Sequence, residues 1–449
     1  MVLLMAAKRF DDARLSYRDL QTRNYSGYFM LSNPFPSIPV AERDPKVFID
    51  RESIMIEVAN VTKDCFNTGN SQTMIMQGNY GNGKSHVLRY IKARINEQLG
   101  NQSGKRAVAA YVQSPGGDIN YLLSSLIEDL GLDFLQEQAL LSLAEFYNNQ
   151  SDRSKYVIGS KSSTSVNQPR RLEMEVQTLR RDLTPDKILL WSLGNDLARQ
   201  LSVKFPDFVK AFCRLATEAS SGLAWRWLLG ERLSRSDKDV LGVTSNIESS
   251  DDALNAFTTL KKVLGVSGIA AVYVLLDEFE KVSEIQNVRA RARYIDDLRH
   301  FIDQNDTGIC LIGCITPTGW DYVRGSGHPL ARRLLGNVHW LEPFKLSEVE
   351  RLIEAYVTVA RSKYLDEIPN SNTLFTNKTR AVANAELFPF GKAAVSFLHE
   401  ATKGNISEVL RLCKRLIDLG SDKNYPLLND PALISQFTGV ALAEGAASA

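Results

Sequence analysis

Residues 71–90 read Ser-Gln-Thr-Met-Ile-Met-Gln-Gly-Asn-Tyr-Gly-Asn-Gly-Lys-Ser-His-Val-Leu-Arg-Tyr, and this stretch gives the clearest indication of the fold. An apolar, strand-like run from Met74 to Met76 leads into the pattern G-x-x-x-x-G-K-S, which is the phosphate-binding loop. A triphosphate needs many backbone N–H donors packed close together, and glycines allow this because no Cβ intrudes. The helix that begins near Lys84 directs its positive N-terminal dipole at the same anion.

The motif predicts the nucleotide and metal contacts of the loop. Lys84 supplies a positive charge to the β- and γ-phosphates of ATP, and the Ser85 hydroxyl is a ligand for Mg²⁺. His86 stands beside the loop, where contact with backbone and contact with phosphate are both open. The predicted nucleotide-binding residues of the loop are Gly78, Asn79, Tyr80, Gly81, Asn82, Gly83, Lys84, Ser85 and His86.

Composition bounds the class of protein. The chain has 449 residues, 44% of them hydrophobic, which is enough for two to three globular domains. Its net charge of +1 means that any contact with nucleic acid must come from a local basic patch. The five cysteines form no C-x-x-C pair, and Cys310 and Cys314 share one face of a strand-like run, where we expect core packing. With no apolar run of about 18 residues, we expect a cytoplasmic protein without a membrane span.

The order of apolar runs predicts an α/β fold. Strand-like runs at 73–77, 107–113, 270–276, 309–315 and 337–341 are separated by helical patterns, which favours a parallel five-stranded sheet covered on both faces. The expected divisions are an N-terminal extended segment (1–50), a phosphate-loop core (51–345) with a long all-helical insert (about 116–263), a C-terminal helical lid (346–425) and a tail (426–449). We expect lid helices at 349–360, 379–387, 391–401 and 407–419, and a mobile Ser-rich loop at 149–169.

A second motif supplies what hydrolysis needs. The apolar run Val272-Tyr-Val-Leu-Leu276 ends in Asp277-Glu278. Asp277 is expected to hold Mg²⁺ through its water shell, and Glu278 to orient and deprotonate the attacking water. An acidic turn after a buried strand is common by itself, but here it follows a phosphate loop upstream.

Two later stretches carry further candidate residues. The strand-like run 309–315 ends in Thr316-Pro-Thr318, where a hydroxyl can sense the γ-phosphate; Thr316 is the first choice, Thr318 the second, and a simple cap the alternative. Arg332 and Arg333 precede the last strand, and either can act as an arginine finger on a neighbouring subunit's nucleotide. A solvated or locally ion-paired helix end is the alternative for both.

This order of motifs resembles the AAA+ ATPases. Phe344-Lys-Leu-Ser-Glu-Val-Glu-Arg-Leu-Ile looks like the entry to their helical lid, and Gly404-Asn-Ile-Ser-Glu-Val-Leu-Arg-Leu-Cys looks like the lid motif that carries the second sensor. The resemblance implies a nucleotide-contacting arginine in that motif. Ser407 stands where many members have it, so Arg411, one turn further on, is the candidate replacement.

A narrower resemblance covers about residues 45–420. The phosphate loop through His86, the stretch Trp227-Leu-Leu-Gly-Glu-Arg-Leu-Ser-Arg-Ser-Asp-Lys-Asp-Val-Leu-Gly-Val243 and His328-Pro-Leu-Ala-Arg-Arg-Leu334 are similar to the ATP-binding proteins of bacterial phage-exclusion (BREX) systems, the BrxC/BrxD group. It implies an ATPase motor or switch that works with other defence proteins and is linked to DNA. As an AAA+ ATPase with an arginine finger shared between subunits, the protein is expected to form a nucleotide-dependent homo-oligomer.

Two other functions remain open at this stage. One is a DNA-binding ATPase switch like a replication initiator or transposition regulator, and the other is a non-catalytic nucleotide-bound scaffold, against which Glu278 argues. DNA contact is open at two arginine-rich stretches, where an ordinary solvated helix face is the alternative. Those arginines are Arg170, Arg171, Arg180 and Arg181 in one stretch and Arg289, Arg291, Arg293 and Arg299 in the other.

Overall fold

The chain forms two compact units. In the computed structural model, the described residues are 23–37, 48–49, 51–100, 104–150, 187–325, 329–380 and 385–438. The larger unit spans 51–342, and the smaller combines the described residues before 50 with those from 343 onward. Residues 151–169 of the loop predicted at 149–169, and the arginines Arg170, Arg171, Arg180 and Arg181, lie outside the described residues.

A five-stranded parallel sheet organises the larger unit. Its strands are β1 (Gln72–Gln77), β2 (Arg106–Val112), β3 (Ile269–Leu276), β4 (Ile309–Ile315) and β5 (Val338–Trp340). They lie in the order β2-β3-β4-β1-β5, and every pairing is parallel. β3 and β4 are almost wholly buried, and β1 is buried at Met74–Met76, because helices cover both faces of the sheet. The predicted parallel α/β core is confirmed.

Helices connect successive strands, as parallel pairing requires. Before and after β1 lie α1 (Glu52–Thr68) and α2 (Lys84–Leu99). Between β2 and β3 the insert contains α3 (Ile119–Leu130), α4 (Leu132–Asn148), α5 (Lys187–Gln200), α6 (Pro206–Arg214), α7 (Glu218–Leu228), α8 (Arg235–Leu241) and α9 (Ser250–Val266). The later elements are α10 (Lys281–Glu284), α11 (Val288–Gln304), α12 (Pro317–Gly325) and α13 (Pro329–Leu334), which is followed by a 3₁₀ turn at Leu335–Asn337.

The insert is a packed part of the core. Trp227 is fully buried, its indole N–H donates to the Ser245 carbonyl at 3.0 Å, and its ring lies 5.8 Å from that of Phe205. The buried Asp207 carboxylate accepts the backbone N–H and the hydroxyl of Thr244, each at 2.6 Å. Trp227, which begins the stretch that carried the narrower resemblance, is therefore a core residue of the insert.

The smaller unit is helical. It contains α14 (Leu346–Glu367), α15 (Ser371–Thr379), α16 (Lys392–Thr402), α17 (Ile406–Asp422) and α18 (Pro431–Thr438). The helix expected at 379–387 is wrong: α15 ends at Thr379, and the described residues 385–389 form a turn. Leu387 and Phe388 are buried there, so core burial rather than helical periodicity explains the apolar run. Pro389 also disfavours helical dihedrals at the residue before it.

Both ends of the described chain contribute to the core of this smaller unit. Tyr28, Phe29 and Phe35 are buried among the helices, and a 3₁₀ turn at Ser26–Tyr28 interrupts the expected extended segment. At the other end, α18 lies within the stretch expected as a tail, and Ile434 is fully buried. Aromatic and aliphatic burial thus extends into both terminal stretches.

Two expectations from composition can be compared with the described residues. All five cysteines are free and buried, which confirms the expected core positions of Cys310 and Cys314. Among the residues with described placement, no helix is long and apolar enough to cross a membrane.

Candidate nucleotide-binding site

The phosphate-binding loop joins β1 to α2 at the carboxyl edge of the sheet. Gly81 and Gly83 have φ angles of +81° and +84°, a conformation that a side chain would strain. A Cβ at Gly78 would lie 3.1 Å from the Leu341 Cβ and 3.2 Å from the Leu341 carbonyl oxygen. Backbone geometry and the close approach of the chain after β5 together explain these glycines.

Lys84 is folded onto the loop that precedes it. Its ammonium donates to the carbonyls of Gly78 at 2.8 Å and Asn79 at 3.1 Å, and it lies 5.4 Å from the centre of the Tyr80 ring. The side chain is only 8% exposed, whereas Tyr80 is 71% exposed. A positive charge is therefore held inside the loop by neutral carbonyl dipoles, which anionic phosphate oxygens can replace. Ser85 and His86 follow within the first turn of α2.

A buried arginine that no sequence motif had indicated donates a hydrogen bond to the loop. Arg51, just before α1, donates one guanidinium N–H to the Asn82 carbonyl at 2.9 Å and another to the Glu342 carbonyl. The buried Asn82 side chain in turn donates to the Leu341 carbonyl at 3.0 Å. The loop is thus fastened to the chain that leaves β5.

The acidic pair lies at the end of β3. Asp277 is 2% exposed, and its two carboxylate oxygens accept from the Glu278 backbone N–H at 2.9 Å and from the Tyr111 hydroxyl at 2.7 Å. Glu278 has a φ angle of +48°, an uncommon conformation for a residue other than glycine, and its carboxylate pairs with Lys281. Strained backbone of this kind is concentrated at functional sites.

The loop and the turn after the acidic pair both bond to the end of β4. Parallel register places Cys314 of β4 beside Met76 of β1, and the Phe279 N–H donates to the Cys314 carbonyl. The Cys314 thiol donates to the Lys84 carbonyl at 3.7 Å. Burial raises the pKa of this thiol, the Asp277 charge raises it further, and the Lys84 charge opposes them. The Gly78 N–H also donates to the Ile315 carbonyl at 3.0 Å, so the loop and the turn after the acidic pair bond to adjacent residues of β4.

Thr316 occupies the end of β4, where it was predicted. It is buried, its hydroxyl accepts the Gly319 N–H at 3.3 Å, and its own N–H donates to Glu280 at 3.2 Å. The hydroxyl therefore caps α12 while keeping its own proton for donation. Thr318 is exposed. Glu280 is a buried acid two residues beyond Glu278, and no spacing rule had singled it out.

The paired arginines on α13 differ in their surroundings. Arg333 forms an ion pair with Asp303, with Nε–Oδ1 at 2.7 Å, and this hydrogen bond lowers the pKa of Asp303. Arg332 is exposed and makes no ion pair within the part of the chain that the structure describes. Arg411 belongs to the smaller unit and pairs with Glu408 on α17. Its role as a second sensor stays a prediction.

The arginines of α11 are also unequal. Arg291 donates to the Ser283 carbonyl at 2.9 Å and lies over the Tyr322 ring at 5.1 Å, so it is part of the local packing. Arg299 lies near Asp296, whereas Arg289 is exposed without an ion pair among the described residues. Burial raises the pKa of Asp297, and the hydrogen bond from Ser250 and the charge of Arg293 oppose this rise. Only part of the expected basic face is free for phosphate contacts.

Sheet order, phosphate loop and acidic strand end define the class. A parallel sheet in the order β2-β3-β4-β1-β5, with the loop after β1 and the Asp-Glu pair after β3, is an AAA+ α/β core. The sequence profile of one family, described as BREX system ATP-binding protein BrxC/D, matches residues 54–340. The chain belongs to this family.

Other comparisons add little. A solved structure of the Aeropyrum pernix ORC2 protein in ADPNP-ADP complexes is similar over 89% of this chain and 69% of that chain, with 11% identity and a TM-score of 0.43. At that score the likeness carries no argument about function. No curated protein matches the chain.

Proposed function

We propose that this protein binds ATP with Mg²⁺, hydrolyses it to ADP and phosphate, and acts as a motor or switch in a BREX-type phage-defence complex. One observation carries the proposal: the phosphate-binding loop and the turn after the acidic pair are hydrogen-bonded to adjacent residues of β4, Ile315 and Cys314. A phosphate-binding cation and a metal-binding anion thus converge at the carboxyl edge of one sheet. Ligands bind at this edge in open α/β sheets.

The loop residues bind the phosphates. The N–H groups of Gly78 and Asn82 already donate to backbone carbonyls, so those of Gly81, Gly83 and Lys84 are the proposed donors to the phosphates. The α2 dipole adds to their field. Lys84 leaves the Gly78 and Asn79 carbonyls for the β- and γ-phosphate oxygens, since a charge-assisted hydrogen bond is stronger than one to a neutral carbonyl. The loop needs little rearrangement because Arg51 and Asn82 already fasten it.

The residues present fit Mg²⁺. The Asp277 carboxylate still has acceptor capacity on both oxygens, and Ser85 offers a hydroxyl from α2, which is the oxygen set that the ion takes beside phosphates. Mg²⁺, when bound, neutralises charge that develops on the transferred phosphate.

Glu278 is the proposed general base. Its carboxylate orients water for attack on the γ-phosphorus and accepts the proton as the bond to the bridging oxygen breaks and ADP leaves. The ion pair with Lys281 occupies this carboxylate in the present structure and must open first. The Thr316 hydroxyl, which keeps its proton, is the proposed sensor of the γ-phosphate.

Arg332 is the better placed of the two candidate arginine fingers. Asp303 already satisfies Arg333, whereas Arg332 is exposed with its charge available to another subunit. A finger in trans requires a homo-oligomer, which we propose forms with nucleotide. DNA, and other proteins of the defence complex, are proposed as further partners.

Two substitutions test the proposal. Lys84→Ala should abolish ATP binding, measured with a fluorescent ATP analogue, because the phosphate charge loses its counter-ion. Glu278→Gln should keep ATP bound and reduce phosphate release at least about 100-fold, within the range of general-base catalysis. Unchanged affinity in the first variant rules out the binding site. Wild-type protein that binds ATP without releasing phosphate would instead support a nucleotide-bound scaffold.

A further inference from the structure

Asp277 receives a hydrogen bond that the proposed mechanism does not use. The donor is the hydroxyl of Tyr111, next to the last residue of β2, at 2.7 Å from the Asp277 Oδ2. The Asp277 Oδ1 accepts the Glu278 N–H at 2.9 Å. Each carboxylate oxygen therefore has one donor from the protein and one acceptor position remaining. This pattern sets the plane of the carboxylate and the direction of both remaining lone pairs.

The Tyr111 side chain is itself held from the phosphate-loop helix. The guanidinium of Arg89, on α2, lies 4.6 Å from the centre of the Tyr111 ring. A cation over an aromatic face is attractive, and more so when both are partly desolvated. A carboxylate can only accept, so the Tyr111 hydroxyl is the donor in its hydrogen bond to Asp277.

The backbone of Tyr111 is held by Asp129 of α3, which in turn pairs with α2. Its N–H donates to the Asp129 carboxylate at 2.6 Å, and Asp129 forms an ion pair with Lys92 of α2 at 2.8 Å. The helix that presents Ser85 therefore supports the ring through Arg89 and the backbone through Lys92. Contacts from α2, which carries Ser85, therefore hold Tyr111, and Tyr111 in turn contacts Asp277. Ser85 and Asp277 are the two proposed magnesium ligands.

We propose that Tyr111 is a positioning residue for magnesium: its hydroxyl orients the Asp277 carboxylate toward the metal's water shell. Outer hydrogen-bond partners of metal ligands commonly change metal affinity 10- to 100-fold when they are removed. Tyr111 touches neither the phosphates nor the reacting water in this role. Its effect must therefore pass through Asp277 and depend on the metal.

The inference rests on the proposed ATP site, and the experiment separates the two. The affinity of the full chain for mant-ATP is measured in EDTA and in excess Mg²⁺, for wild type and Tyr111→Phe. In EDTA, Tyr111→Phe should bind mant-ATP as tightly as wild type does. The factor by which Mg²⁺ increases this affinity should be about tenfold smaller in Tyr111→Phe than in wild type. The inference is overturned if Mg²⁺ increases the affinity of Tyr111→Phe as much as that of wild type. It is also overturned if Mg²⁺ does not change the affinity of wild type. Wild type that fails to bind mant-ATP overturns the proposed function instead.

Tyr273→Phe is the matched control. Tyr273 is buried on β3, and its hydroxyl donates to the Thr62 carbonyl at 2.8 Å, away from the acidic pair. Its loss should leave the Mg²⁺-dependent gain unchanged; a loss equal to that in Tyr111→Phe would mean that general loosening of the sheet explains both. In an Asp277→Asn background, Tyr111→Phe should add no further loss of the gain. If the two substitutions have additive effects, Tyr111 does not act through Asp277.

A second variant covers the case in which Tyr111→Phe does not fold. Arg89→Met keeps the tyrosine hydroxyl but removes the cation from its ring, so the gain from Mg²⁺ should fall in the same direction and by a smaller factor. No change in that variant would overturn the support assigned to α2.

Discussion

Arg51 provides the sharpest test of how the phosphate-binding loop is held. Its guanidinium joins two segments that are distant in sequence, the loop at Asn82 and the chain after β5 at Glu342. Arg51→Met keeps the aliphatic stem but removes both donors. Two backbone carbonyls of this part of the core then lose a charged partner. Arg51→Lys keeps the charge but cannot reproduce the fork that reaches both carbonyls.

The expected magnitude follows from the two hydrogen bonds. A hydrogen bond to a charged group contributes about 1.5 kcal/mol at the lower end of its usual range, so Arg51→Met should lower the unfolding free energy by about 3 kcal/mol. Arg51→Lys should lose about half of that, since one of the two bonds can remain. Urea denaturation followed by circular dichroism measures the loss, and mant-ATP affinity should fall with it because the loop is less ordered.

Arg226→Met is the control for losing an arginine as such. Arg226 pairs with Glu231 at the surface, with both side chains about half exposed. Its replacement should cost no more than about 1 kcal/mol, as exposed ion pairs do. If Arg51→Met and Arg226→Met lower the unfolding free energy equally, the argument that the buried Arg51 guanidinium holds the loop is refuted. An Arg51→Met protein with full stability and full ATP affinity would refute it as well.

Three further predictions concern assembly, DNA and the thiols. If the arginine finger acts in trans, mixing the Arg332→Ala and Glu278→Gln proteins should partly restore phosphate release, and no rescue at any mixing ratio argues against shared sites. Arg333→Ala alone should keep most of the ATPase activity. Binding of duplex DNA should weaken steeply with salt and weaken further in Arg289→Ala, since phosphate contacts release counterions, and a flat salt response contradicts them. Burial raises the pKa of Cys65 to about 11, so a thiol reagent at pH 8 should not label it in the folded protein; rapid labelling would show that this core opens.

Motifs formed by neighbouring residues could be predicted from the sequence. The loop from Gly78 to Ser85 and the Asp277-Glu278 pair were identified because the chemistry of each depends on residue types at fixed local spacing. The parallel sheet followed from apolar runs separated by helical patterns, and the structure confirms it. Periodicity failed at 379–387 because a buried turn and a helix can share the same apolar residues.

The tertiary structure alone decided which side chains support those motifs. Tyr111 and Arg51 lie in unremarkable surroundings in the sequence, yet one contacts Asp277 and the other contacts both Asn82 and Glu342. The structure also distinguishes the two candidate arginine fingers, because Arg333 forms an ion pair with Asp303 whereas Arg332 is exposed. The physical reason is that hydrogen bonds and ion pairs act over a few ångströms in space. A motif encodes the local backbone, whereas these partners come together only when the strands and helices pack.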